Sequence, residues 1–166
     1  MSLSIDAWAH LTKYTGPPCG GMMIDPDDPP VHYTIPHARL HTDPKTADEI
    51  REEFGLEPDV CYEGVEHFEF DLDNREYYEW LYWLEGWNPE ALMAIHGGDD
   101  DNAQGAREAA VVLEALNPTL FEATFGAEVE IRFGEDEKGY YGAEVIYRDL
   151  VRAYGLAAQG GLITFR

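Results

Sequence analysis

Apolar and polar residues alternate in several stretches of the chain, and this alternation predicts β-strands. The clearest cases are residues 3–11 and 65–72. In the second stretch Phe68, Phe70 and Leu72 would lie on one face, with His67, Glu69 and Asp71 on the other. Shorter apolar runs predict strands at 22–24, 31–35 and 162–165.

Capping residues and helical spacing predict helices between these strands. Thr46 and Glu49 form a capping box that opens a helix ending at Gly55. The helix after Asp73 has apolar residues at helical spacing, and we expect it to be the centre of the core; these residues are Tyr77, Trp80, Leu81 and Leu84. Further helices are predicted at 89–97, at about 103–116 and at 148–154.

Residues 129–147 predict a β-hairpin. Val129, Ile131 and Phe133 alternate with charged residues, 134–139 would form the turn, and 141–147 would return as the second arm. The resulting fold class is α+β, with a mostly antiparallel sheet, several short helices and a strongly acidic surface. We expect one domain over residues 1–166, with small lobes at about 1–72, 73–117 and 118–166 as the alternative division.

The charge balance narrows the classes of function. The chain has 33 acidic and 11 basic residues, for a formal net charge of −22. Like charge disfavours direct binding to nucleic acid or to an anionic membrane. The two cysteines, Cys19 and Cys61, are read as reduced, with a single disulfide bridge between them as the alternative. No signal peptide or membrane-spanning run is apparent, so the sequence predicts a cytoplasmic protein.

The carboxylates are the candidate binding groups. Duplex DNA carries about one charge per 1.7 Å, so a charge of 22 corresponds to roughly 37 Å of duplex, close to the diameter of about 40 Å expected for a compact chain of this length. The predicted partner-binding residues lie on exposed positions of the predicted elements: Asp48, Glu49, Glu52, Glu53, Glu66, Glu69, Asp71, Glu76, Glu79, Glu128 and Glu130.

Histidines near the N-terminus suggest an alternative chemistry. His32, His37, His41 and Asp43 offer imidazole and carboxylate ligands of the kind that bind zinc or iron. Pro36 and Pro44 flank this stretch, and its spacing matches no specific metal motif. We therefore predict no catalytic residue, metal or cofactor, and keep a metal-dependent hydrolase as the alternative.

Several short motifs resemble the ArdA antirestriction proteins, which act as acidic mimics of duplex DNA. Residues 8–14 (WAHLTKY), Gly16, Gly20-Gly21 and Ile24-Asp25 are similar to the opening of that family; Glu63-Gly64 and 147–150 (YRDL) are similar to later patterns. These stretches cover about a fifth of the chain, and Thr15 stands where the family usually has Asn. The resemblance implies an inhibitor of DNA-handling proteins.

Together, charge and resemblance predict a non-catalytic, anti-defence protein of a phage or mobile element. It would bind a basic DNA-binding protein or nuclease and compete with nucleic acid there, and a homodimer is an open alternative. A further alternative is a salt-adapted acidic protein, since only three of the 11 basic residues are lysines.

Overall fold

The computed structural model describes residues 2–15, 22–28, 31–34, 48, 51–52, 55, 63–96, 103–119 and 137–165. The strands are β1 (Ser2–Ala9), β2 (Lys13–Tyr14), β3 (Met22–Ile24), β4 (His32–Thr34), β5 (Glu66–Asp73), β6 (Ala103–Gly105) and β7 (Leu162–Phe165). The helices are α1 (Asn74–Trp87), α2 (Pro89–His96), α3 (Ala106–Leu116) and α4 (Glu137–Ala157). Among these described helices, none combines the length and the apolar composition needed to cross a membrane.

A four-stranded antiparallel sheet organises the chain, in the order β5-β1-β7-β6. Strand β1 pairs along its whole length with β5, from Ser2 opposite Asp73 to Ala9 opposite Glu66. On its other side β1 pairs with β7, and β7 pairs with β6. The predicted mixture of helices with antiparallel strands is confirmed.

The two faces of this sheet differ in chemistry. On the face that packs against the helices, here called the helical face, lie the apolar side chains of Ile5, Ala7, Phe68, Phe70, Leu72, Ile163 and Phe165. On the other face, here called the polar face, lie Ser4, Asp6, Trp8, His67, Glu69, Asp71, Ala103, Gly105, Leu162 and Thr164. Because side chains alternate along a strand, neighbouring residues of β1 serve opposite faces.

Helix α4 covers the helical face and is the centre of the core. Its buried residues recur at helical spacing and are Ile146, Tyr147, Leu150, Ala153, Tyr154 and Ala157. Trp83 and Trp87 of α1 stack at 5.2 Å and both meet the Tyr147 ring edge-on. Helix α1 was predicted as the core centre, and it contributes to the core beside α4: of its predicted apolar positions Leu84 is buried and Leu81 is half-buried.

The predicted hairpin arm at 141–147 is wrong, because these residues belong to α4. Val145, Ile146 and the neighbouring tyrosines have high β-propensity, and a window this short hides the longer period. The predicted helix at 148–154 is only the C-terminal part of α4. Packing of its residues 146–157 in the core stabilises the helix against this local propensity. The first predicted arm, at 129–133, lies outside the described residues.

The predicted helix at 103–116 begins later than expected. Ala103–Gly105 forms β6, and α3 starts at Ala106. Gln104 is buried, and its side-chain amide donates to the carbonyls of Ala94 and Ile95 at the end of α2 and to Glu108. Of the predicted apolar positions, Ala109 and Leu116 are buried, whereas Ala106 and Leu113 are half-buried.

The strand predicted at 3–11 ends at Ala9, and residues 137–139 of the predicted turn belong to α4; the other element predictions agree with the structure where it describes them. Asn88 caps α2, since its side-chain oxygen accepts a hydrogen bond from the Ala91 amide at 3.0 Å. Asp48, Arg51 and Glu52 are helical, and Gly55 has a φ of 62°, as expected for a helix-ending glycine.

A second, three-stranded sheet lies against one end of the polar face. Its order is β2-β4-β3, and Tyr33 of β4 packs with Trp8, Leu11 and Leu162. The part of the polar face around Trp8 and Leu162 is therefore covered by apolar contacts.

Candidate functional site

Strand β5 is at the edge of the sheet among the described strands, and it has three of the predicted binding carboxylates. Glu66, Glu69 and Asp71 are exposed, and among the described residues none of them has an ion-pair partner. The pleat divides them, because Glu66 belongs to the helical face while Glu69 and Asp71 share the polar face. The Cα atoms of Glu69 and Asp71 are about 7 Å apart, as two residues of a strand must be.

The structure describes only some of the other predicted carboxylates. Asp48 and Glu52 are exposed, and Asp48 accepts a hydrogen bond from Arg51 at 3.2 Å. Glu76 and Glu79 belong to α1, one turn apart. Glu49, Glu53, Glu128 and Glu130 lie outside the described residues.

Acidic side chains outnumber basic ones at the described surface. The exposed acidic residues are Asp28, Asp48, Glu52, Glu63, Glu66, Glu69, Asp71, Glu85, Glu90 and Glu114. The exposed lysines and arginines are Lys13, Arg51, Arg107, Arg148 and Arg152. The described exposed residues thus include ten acidic side chains and five lysines or arginines.

A buried carboxylate, Asp6, lies beside the exposed ones on the polar face. Asp6 is 6% exposed and directly opposite Glu69 in the sheet register. Its Oδ1 is 2.9 Å from Nε2 of His67, and the His67 ring stacks on Trp8 at a centroid distance of 5.1 Å. The imidazole is thus held in place from two sides, by a carboxylate and by an aromatic ring.

Two other aspartates have structural roles in the loop after β3. Asp25 is fully buried and pairs with the Lys13 ammonium at 3.2 Å, and this hydrogen bond raises the pKa of Lys13. Asp27 Oδ2 accepts a hydrogen bond from the Arg107 amide at 2.6 Å, in the first turn of α3. A Cβ on Gly105 would lie 2.5 Å from that oxygen, so the glycine makes room for this distant cap.

The alternative metal set is represented in the described chain by His32 alone. His32 lies on β4, is buried, and its Nδ1 has no hydrogen-bond partner. His37, His41 and Asp43 lie outside the described residues, so the hydrolase alternative stays a prediction.

Sequence reasoning missed Asp6 and Thr164 as members of a polar cluster. The alternation around residues 3–11 places Asp6 on the other face of the strand from the apolar residues, and this pattern could have identified it. Which residues of other strands face Asp6 depends on the register between segments about 60 and 160 residues apart in sequence, and a pattern within one segment cannot give that register.

No protein-family model, curated protein or solved structure matches this chain. The resemblance to ArdA proteins stays a prediction.

Proposed function

We propose that this chain is a non-catalytic acidic protein that binds a basic, DNA-handling protein and competes with nucleic acid for it. The observation that supports the proposal is the edge strand β5, whose exposed Glu66, Glu69 and Asp71 have no ion-pair partner among the described residues. Unpaired carboxylates on a rigid strand are ready to receive lysine and arginine side chains.

The surroundings of β5 favour a basic partner. Glu69 and Asp71 project from one face, and the net charge of −22 adds a long-range attraction for positive surfaces. Each carboxylate would stand where a phosphate of the displaced DNA had been. We expect the affinity to fall as salt is added, because exposed charges are screened beyond about 10 Å at 0.1 M ionic strength.

The protein would act in the cytoplasm, as an inhibitor of a restriction, recombination or nuclease protein. This is also what the resemblance to ArdA proteins implies. The strongly acidic surface that the proposal needs is in accord with the exposed acidic residues of the described chain.

The test is displacement of DNA from a defined partner. A fluorescent duplex is bound to a purified restriction enzyme, recombinase or nuclease at about 0.1 M salt, and its anisotropy is followed as this protein is added. The key variant combines Glu66→Gln, Glu69→Gln and Asp71→Asn. The control combines Glu85→Gln, Glu90→Gln and Glu114→Gln, which changes the net charge equally at exposed helical positions.

We expect wild type and the control variant to displace the duplex from at least one enzyme class. The β5 variant should need a concentration at least about tenfold higher for the same displacement. Absence of displacement from every class would contradict the proposal. If both variants lost displacement activity equally, the β5 carboxylates would act only through their contribution to the net charge and would not form a specific binding surface. A salt-adapted protein would instead unfold at low ionic strength and displace nothing.

Charge on an edge strand also prevents sheets from associating edge to edge. Size-exclusion chromatography of the β5 variant distinguishes the two roles. If it self-associates and wild type displaces no duplex, the carboxylates protect the edge and bind no partner.

A further inference from the structure

Three metal-ligating side chains meet on the polar face, and one of them, Glu69, is also among the β5 carboxylates discussed above. One ligand atom each from Asp6, His67 and Glu69 lies within 4.8 Å of the others. The sheet register causes this, because Asp6 is opposite Glu69 while His67 is opposite Trp8, two residues along. Cross-strand neighbours on one face have Cβ atoms about 5 Å apart, so the three groups converge without help from loops.

Asp6 is buried and already contacts a second metal-ligating group, the imidazole of His67. A buried carboxylate is normally paired with a positive group or bound to a metal. His67 Nε2 lies 2.9 Å from Asp6 Oδ1, close to the spacing of about 3.3 Å between two ligands of a tetrahedral ion with bonds near 2.0 Å. Stacking on Trp8 holds the ring in that position.

An independent observation comes from strand β7. Thr164 is directly opposite Asp6 on the same face, is 2% exposed, and its hydroxyl has no hydrogen-bond partner. Buried hydroxyls almost always have a partner. A hydroxyl left open beside a buried carboxylate is suited to bind a metal directly or to hold a water molecule bound to the metal.

The ligand types select the class of metal. Magnesium and calcium prefer shells made of oxygen atoms, whereas imidazole suits zinc and its neighbours in the transition series. Three protein ligands leave a fourth tetrahedral position, and Glu69 and His67 are exposed, so that position is open to solvent. We propose that Asp6, His67 and Glu69 form a zinc-binding site, with the Thr164 hydroxyl beside it.

The test measures zinc binding to the full chain. Zinc is titrated in competition with a chromophoric chelator, at 0.15 M salt and with excess magnesium to occupy non-specific carboxylates. Glu69→Gln removes one ligand from an exposed position, and Glu66→Gln is its matched control on the same strand and the opposite face. His67→Phe removes the nitrogen ligand and keeps an aromatic ring against Trp8.

We expect one zinc per chain in wild type and in Glu66→Gln, and at least a tenfold weaker affinity in Glu69→Gln and His67→Phe. Zinc should also raise the unfolding temperature of wild type and of Glu66→Gln, but not that of Glu69→Gln or His67→Phe. Unchanged affinity in Glu69→Gln, or no zinc bound by wild type, would overturn the proposal. The exposed position of Glu69 makes that variant decisive even if His67→Phe fails to fold.

Discussion

The two faces of the four-stranded sheet are made of alternate residues of the same strands, yet one face forms the core and the other contains the carboxylates. On the helical face Ile5, Ala7 and Leu72 are buried against the helices, which is what drives folding. On the polar face Asp6, Glu69 and Asp71 contribute carboxylates, and Glu69 and Asp71 are exposed. The side chains of the polar face are therefore the ones to examine for function.

The largest effect should come from the helical face. Ile146→Ala on α4 removes a buried side chain, and we expect it to lower the free energy of unfolding by about 3 kcal/mol. Val145→Ala, one residue earlier and exposed, should change it by less than about 0.5 kcal/mol. Urea unfolding followed by circular dichroism measures both. Equal losses of stability in the two variants would contradict the assignment of Ile146 to the buried side of α4 and of Val145 to its exposed side.

A second prediction concerns the covered end of the polar face, where Tyr33 packs on Trp8 and Leu162. Burial raises the pKa of Tyr33 to about 12, from an ordinary value of 10.0. The unfolded chain therefore loses this proton at a lower pH than the folded chain does. The contribution of Tyr33 to stability is complete below pH 10 and declines as the pH rises to about 12.

The loss from Tyr33 alone should reach about 2 kcal/mol at pH 12, since each pKa unit corresponds to about 1.4 kcal/mol. Tyr33→Phe should lack this alkaline loss, while Tyr82→Phe, at an exposed position, should behave as wild type. Urea unfolding at pH 8, 10 and 11.5 measures the difference. The buried Tyr147 has a raised pKa in all three proteins and does not affect the comparison. Tyr33 contributes to the raised pKa of Lys13, so any change in Lys13 is part of the difference that Tyr33→Phe measures.

A third, smaller effect tests whether a carboxylate near the polar face serves the fold. Asp27→Ala removes the side chain that caps α3 at the Arg107 amide, and should lower the free energy of unfolding by about 1 kcal/mol. Asp28→Ala, its exposed neighbour, should leave it almost unchanged. Equal effects in urea unfolding would mean that the loop tolerates loss of the cap.

These residues also show which features of the structure could be predicted from the sequence. The alternation at 65–72 placed His67, Glu69 and Asp71 on one face, because a strand has a strict period of two. It failed at 141–147, where the helical period becomes visible only with Leu150, Ala153 and Tyr154 included. The partners of Asp6 and Asp27 were beyond reach, since register and distant caps are set by tertiary packing.

The smallest effect should come from the exposed edge of the polar face. In metal-free solution Glu69→Gln should change the free energy of unfolding by less than about 0.5 kcal/mol, because the side chain is exposed and has no ion-pair partner among the described residues. Glu66→Gln on the opposite face should match it. A loss above 1 kcal/mol in Glu69→Gln alone would mean that the carboxylate stabilises the fold, and the contrast between the two faces would then fail at its clearest position. A null result, paired with a change in zinc or partner binding, would assign Glu69 to binding and not to the stability of the fold.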